Sequence, residues 1–230
     1  GQNDQAAELG RRLNMGHLFA PAERRWWRGH FGNAVLCRLP VRRYVRTPLP
    51  TTQRRGLRNM LLVVVEVAGR PVRVLLTHVG NRRDRRRQLR AVIRRFVALP
   101  PPAILMGDLN ATRAAEALAR LLLRPDVRNA LAAAPGQHAD RIDWILVRGL
   151  RVVRAAARDS EASDHPLLTA TLELPPTASE ADRQRGTDAE APVGGDPRPA
   201  ILRAPRALQR AVGPKGSFGI CPRFAAAAVE

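Results

Sequence analysis

Two histidines, three aspartates and an asparagine stand in this sequence where their side chains could do chemistry. They fall in four short motifs: Thr77-His78, Gly107-Asp108-Leu109-Asn110, Arg141-Ile142-Asp143 and Ser163-Asp164-His165. Imidazole and carboxylate are the groups that move protons, and carboxylate oxygens also hold hard cations. Each motif adjoins an apolar run of strand length, and strand ends are where α/β folds collect functional side chains. Singly, each has a plainer reading. A histidine after a strand is more often a cap or a core residue, Gly-Asp-Leu-Asn is commonly a turn, and Ser-Asp-His can be a turn with a solvated ring. Their joint order shifts the balance. A strand ending THV, an Arg-rich helix, PAILMGDLNA, RIDWILV and then SDHPLL is a succession rare by chance.

The elements that must position these motifs are readable from periodicity. Asp4 to Leu13 has Ala6, Leu9 and Leu13 on one helical side, and His17 to Ala20 and Asn33 to Cys37 read as strands around a loop over Pro21 to Phe31. Leu57 to Val67 and Val72 to Thr77 flank Ala68-Gly69-Arg70-Pro71, which predicts a hairpin. From Asp84 to Val97, the residues Leu89, Val92, Ile93, Phe96 and Val97 share one helical face while Arg85, Arg86, Arg87, Arg90, Arg94 and Arg95 take the other. Pro100-Pro101-Pro102 stops that helix. A buried strand over Ala103 to Met106 and a second helix over Ala114 to Leu123 follow. Ile142 to Val147, Leu150 to Ala155 and Leu167 to Leu174 complete the strands, with Trp144 a packing residue. Helices interleaved with strands, some joined by hairpins, predict a mixed α/β sandwich. The ordered domain is expected over residues 1–174, with 175–230 a disordered tail that lacks strong periodicity apart from a weak apolar spacing over Ile201 to Val212.

Composition bounds the function without choosing it. The 230 residues are 45% hydrophobic, enough for a sizeable core, and the apolar runs Met60 to Val65 and Val74 to Leu76 are strand-sized, so no transmembrane segment is expected. Cys37 and Cys221 give neither zinc spacing nor a disulfide framework, and a reducing, cytoplasmic compartment is the default. The formal charge is +19, and arginine supplies all but Lys215 of the 39 basic residues. Such a bias can come from nucleotide composition and leave only a solvated surface, which is also the simplest reading of the Arg82 to Arg87 run. Attraction of a polyanion requires clustering on one face.

The four motifs in this order, across roughly residues 5–174, resemble the endonuclease/exonuclease/phosphatase superfamily. Gly32 to Pro40, GNAVLCRLP, is similar to the family's GNAILSR strand, with Cys37 in the usual Ser place. The resemblance implies a four-layer α/β sandwich of two mixed β-sheets covered by helices, with a Mg²⁺ or Mn²⁺ ion at a strand-end cleft. The implied activity is phosphoester hydrolysis. That reaction needs an in-line water, charge neutralisation on the phosphoryl oxygens and stabilisation of the leaving oxygen. Asp108 is then a metal ligand or a carboxylate orienting the nucleophile, Asn110 a neutral amide donating to phosphate, and Asp164 a second metal contact. Asp143 fixes the tautomer of His165 and raises its basicity, leaving His165 as base or as phosphate ligand. His78 contacts phosphate or assists the leaving group.

The family pattern also has an Asn at a first strand end and a metal-binding Glu in a QE pair ahead of the DQAAEL helix, and neither motif is found here. The expectations are impaired catalysis and an unpaired sheet edge. Among substrates, nucleic acid fits the positive charge, whereas a phospholipid or inositol phosphate headgroup fits the Trp26-Trp27 pair between Arg24-Arg25 and Arg28, a pair whose plainer role is to anchor a loop. Arg54, Arg55 and Arg58 stand where they could bind a substrate phosphate at the cleft rim. The chain is expected to act as a monomer. The alternative is a non-catalytic basic module that holds nucleic acid or other polyanions.

Overall fold

A computed structural model of the chain describes residues 5–23, 30–81, 83–132, 134, 141–161, 163–176, 217–221 and 224–229. Two six-stranded sheets face each other, with one helix outside the first and two outside the second. The first sheet runs β1 (Gly16–Glu23), β2 (Phe31–Cys37), β12 (Phe224–Val229), β11 (Ser217–Cys221), β10 (Ser163–Glu173) and β9 (Arg151–Ser160). The second runs β3 (Val41–Pro48), β4 (Asn59–Val67), β5 (Arg70–His78), β6 (Ala103–Asp108), β8 (Asp143–Arg148) and β7 (Arg128–Asn129). Each sheet contains one parallel pair, β10 with β11 and β5 with β6, so both are mixed as expected.

Alternation along the strands divides the apolar residues between layers. Leu61, Val63, Val65, Val72, Val74 and Leu76 point inward to the core between the sheets, where they meet Val35, Leu168 and Ala170. Met60, Leu62, Leu75 and Leu105 point outward, under α2 (Arg85–Ala98) and α3 (Glu116–Leu122). There Leu89, Val92 and Phe96 bury the predicted apolar face of α2. On the opposite side, α1 (Gln5–Leu13) covers the first sheet through Leu13, Met15 and Leu36. Strand β2 is buried along its whole length because α1 lies on one of its faces and the second sheet on the other. None of the described helices is long and apolar enough to cross a membrane.

The predicted hairpin is β4–β5, turned by Ala68 and Gly69, both at positive φ, which matches the twist of the strands it joins. Strand β3 is a new element. Its sequence, VRRYVRTP, has the arginines of a solvated edge rather than an apolar alternation, and edge strands carry such charges to discourage pairing with other chains. The loop expected over Pro21 to Phe31 is shorter at both ends, because β1 continues to Glu23 and β2 starts at Phe31. Its centre, with Trp26-Trp27 and Arg24, Arg25 and Arg28, lies outside the described residues, as do Arg82, Asp4 and 177–216 with its Ile201 to Val212 spacing.

Strands β11 and β12 lie in the stretch that reads as tail. Tail composition hides them, since an Ala-rich run such as FAAAAV carries no strand alternation. They occupy the interior of the first sheet, where β12 pairs antiparallel with β2 and β11 pairs parallel with β10. The open edge expected there is therefore closed.

Candidate functional site

Three of the expected residues stand in one row across the second sheet. His78 ends β5, Asp108 ends β6 and Asp143 begins β8, and the register pairs His78 with Asp108 and Asp108 with Asp143. Neighbouring strands are about 4.8 Å apart, so register alone brings the three side chains together. Gly107, at φ 125°, allows β6 to end so close to β5, because a Cβ there would run into the Thr77 carbonyl. Past the row, Leu109 N donates to Ile142 O and Trp144 Nε1 donates to Ala111 O at 2.8 Å, which pins the loop after Asp108. Trp144 is buried packing, as read from the sequence.

The fourth member comes from the other sheet. His165, near the start of β10, places Nδ1 2.5 Å from Asp143 Oδ2. Its backbone N donates to Ser163 Oγ at 3.1 Å, fixing the strand's entry. The hydrogen bond to Asp143, helped by the nearby Asp108 and Asp164 charges, holds the imidazole protonated up to about 9. Asp164 itself is exposed beside it.

Asp108 is almost fully buried, and burial together with the neighbouring Asp143 carboxylate pushes its pKa up to about 6. Asn110, at φ 46°, turns back onto it: the Asn110 backbone N donates to Asp108 Oδ1 at 2.6 Å and Nδ2 donates to Oδ2 at 3.0 Å. The same Nδ2 donates to Val79 O at 2.7 Å. Both amide hydrogens are thereby committed to the protein. In this geometry the Asn110 side chain is turned onto Asp108 and the Val79 carbonyl.

His78 Nε2 lies 3.4 Å from Asp108 Oδ2, a contact that is not an ion pair at neutral pH. Burial, with the cations of Arg58 and His165 close by, holds the His78 pKa down at about 3. Its Nδ1 is buried and meets no hydrogen-bond partner among the described residues.

Phe31, Arg141 and the Asn33–Asn59 pair shape the site without a clear sequence signal, whereas Arg58 was a rim candidate. Phe31 packs edge-on against His78 with ring centroids 5.8 Å apart and supports the Arg58 guanidinium 4.3 Å from its own centroid. Arg58 is thus held half-buried at the site, whereas Arg55 is exposed in a loop whose Gly56 and Leu57 backbone N–H groups donate to Glu23 Oε2. Arg141 is half-buried near Asp143, within a motif the sequence flagged only for its aspartate. Beneath His78, Asn33 Nδ2 donates to Asn59 O and Oδ1, Asn59 Nδ2 donates to Ala20 O, and Thr77 Oγ1 donates to Asn59 O. This buried network ties β1 and β2 of one sheet to β4 and β5 of the other.

A hard divalent cation suits the donor set in kind. Oxygen donors dominate it, and a cation would relieve the repulsion between the Asp108 and Asp143 carboxylates that raises the Asp108 pKa. In number the set is short, since among the described residues no group of three His, Cys, Asp or Glu side chains could hold an ion.

The model of the endonuclease/exonuclease/phosphatase family matches residues 2–165. Among solved structures, a functionally unknown conserved protein from Enterococcus faecalis V583 is 20% identical with a TM-score of 0.59, the match covering 75% of this chain and 82% of that one. An endonuclease/exonuclease/phosphatase from Bacteroides vulgatus is 18% identical with a TM-score of 0.55, over 74% and 80% of the two chains. The human Nocturnin catalytic domain, solved with a bound sulfate anion, is 19% identical with a TM-score of 0.53, over 66% and 68%. At these identities the likeness is one of fold. No curated protein matches the chain.

Proposed function

The chain belongs to the endonuclease/exonuclease/phosphatase family, and from that premise we propose that it is a divalent-metal-dependent phosphoester hydrolase centred on His78, Asp108, Asp143 and His165. The observation that carries this reading is the 2.5 Å contact of His165 Nδ1 with Asp143 Oδ2, one register position from a buried carboxylate of raised pKa. With a pKa near 9, His165 is a cation at neutral pH, and this favours the role of phosphate ligand and proton donor over that of base. Asp143 holds the Nδ1–H, so the Nε2–H is the one left to face a phosphoryl or leaving oxygen. Asp108, held by Asn110, orients the attacking water and takes its proton. The new P–O bond forms from that water as the bond to the leaving oxygen breaks, and His165 returns a proton to the leaving oxygen. His78, neutral and donating, and Arg58, cationic, line the same end of the site and suit contacts to phosphoryl oxygens. Arg55 is the more distant candidate, at the exposed rim.

Asp108, with Asp164 as a second contact, would hold Mg²⁺ or Mn²⁺, whose charge would neutralise the phosphoryl oxygens. The test is hydrolysis of bis-p-nitrophenyl phosphate with Mg²⁺ or Mn²⁺, with and without EDTA, by the chain and by His165→Ala. Turnover that needs the ion and is lost in the variant supports the reading, and turnover that ignores both refutes it.

A further inference from the structure

The outer face of α2 is an arginine stripe that leads away from the catalytic end. Between residues 83 and 98 the exposed described residues are Arg83, Arg85, Arg86, Arg87, Arg90, Arg94 and Ala98, so apart from one alanine the exposed surface is entirely guanidinium-bearing. At 100° per residue, Arg86, Arg87, Arg90 and Arg94 share one side of the helix, opposite buried Leu89, Val92 and Phe96. They span about 12 Å of helix axis. The stripe starts beside the site, where Arg85 Nη1 donates to Asn110 O at 3.4 Å.

Little within the protein neutralises these charges. Among the described residues, Arg86, Arg87 and Arg94 form no ion pair, and Arg90 has only Glu116 at 4.0 Å, a carboxylate already engaged by Arg120 at 2.7 Å. The first turn of α2 holds Arg85, Arg86 and Arg87, and the carboxylate at this helix end is the N-cap Asp84, which is buried and engaged by Thr51 and Thr52. Arginine is common throughout this chain; this set is distinguished by lying in line along one helix, exposed and almost without acidic partners.

We propose that this stripe is a docking track for a polynucleotide, whose sugar-phosphate backbone runs along α2 and delivers a phosphodiester to the Asp108–His165 end. The inference names the substrate class for the hydrolase reading above and rests on it. A linear row of guanidinium groups matches a linear polyanion. A membrane surface would be met by cations together with inserting apolar side chains, and here Ile93 and Val97 are half-buried against the core and the one exposed apolar residue is Ala98.

The test is fluorescence anisotropy of a labelled DNA oligonucleotide, and of its RNA counterpart, in EDTA, with the full chain and the variant Arg86→Ala/Arg87→Ala/Arg90→Ala/Arg94→Ala. A matched variant, Arg11→Ala/Arg151→Ala/Arg154→Ala/Arg158→Ala, removes equal charge from the side of the first sheet. The track variant is expected to bind one or both oligonucleotides about 10- to 100-fold more weakly, with a slope of log affinity against log salt shallower by about 2 to 3, while the matched variant changes much less. It removes no core contact, so its urea midpoint should equal or exceed that of the parent, and its hydrolysis of bis-p-nitrophenyl phosphate should be unchanged. Equal losses in both variants, or unchanged oligonucleotide affinity in the track variant, overturn the proposal. Selective loss of binding to phosphatidylserine vesicles instead assigns the face to a lipid surface and also overturns it. If no form hydrolyses the small diester, the hydrolase reading fails on its own while the binding arms still decide the track.

Discussion

Asp143 Oδ2 lies 2.5 Å from His165 Nδ1, joining the first residue of β8 in one sheet to β10 in the other. The contact makes the site dependent on how the two sheets stack, because this closer acid–imidazole pair crosses between them, whereas His78 and Asp108, 3.4 Å apart, belong to one sheet.

The pair sets the charge of His165. In Asp143→Asn the imidazole loses the partner that holds its pKa up to about 9, and NMR titration should find it back toward about 6.5. The sign for stability follows. A histidine raised on folding contributes stability that is fully present below pH 6.5 and is lost as pH rises through 9. The stability gap between parent and variant should therefore narrow over that window. An unchanged titration in the variant would remove Asp143 as the cause.

Asp108 carries the opposite cost. Its carboxyl is raised on folding to about 6, so ionising it in the folded protein is unfavourable, and the penalty grows as pH climbs from about 4 to 6. In EDTA, Asp108→Asn should be more stable than the parent by about 1 kcal/mol at pH 8, after allowing for one impaired hydrogen bond to Asn110. The gain should vanish below pH 4. Urea denaturation at the two pH values measures it, and hydrolysis should be lost in the same variant.

Asn59 is the hinge of the buried polar network under His78. Truncation in Asn59→Ala removes the Oδ1 that accepts from Asn33 Nδ2 and the Nδ2 that donates to Ala20 O, leaving Asn33 only the backbone carbonyl of residue 59, at an expected cost of about 1 to 3 kcal/mol. A urea midpoint close to that of the parent would show that the network is not structural.

Strands β11 and β12 fill the interior of the first sheet, so deletion of residues 217–230 should leave the edges of β2 and β10 unpaired. The truncated chain should lose cooperative unfolding or self-associate, seen by size-exclusion chromatography. A monomeric, cooperatively folded truncation would return this stretch to the status of a dispensable tail.

What the sequence could and could not reveal follows from these elements. The α2 stripe, the β4–β5 hairpin and the strand-end motifs were legible because burial on one face imposes a period on the residues. Strand β3 was not, since an exposed edge needs no apolar alternation, and β12 was not, since alanine serves helix, strand and coil alike. Within the site, His78, Asp108, Asp143 and His165 stood out by type and by their place at strand ends. Phe31 and Asn59 did not, because their roles come from cross-strand neighbours 18 or more residues away. The inward commitment of Asn110 was also hidden, as it depends on the left-handed turn that follows Asp108.

The most direct test of the central claim is a double-mutant cycle on Mg²⁺- or Mn²⁺-supported hydrolysis of bis-p-nitrophenyl phosphate, using Asp143→Ala, His165→Ala and the double variant. Residues that act as one unit are strongly non-additive, so each single variant should lose about 10²- to 10⁴-fold in kcat and the double variant little more than the worse single. Losses that multiply, or a single variant with parental kcat, would contradict a catalytic centre built on that pair.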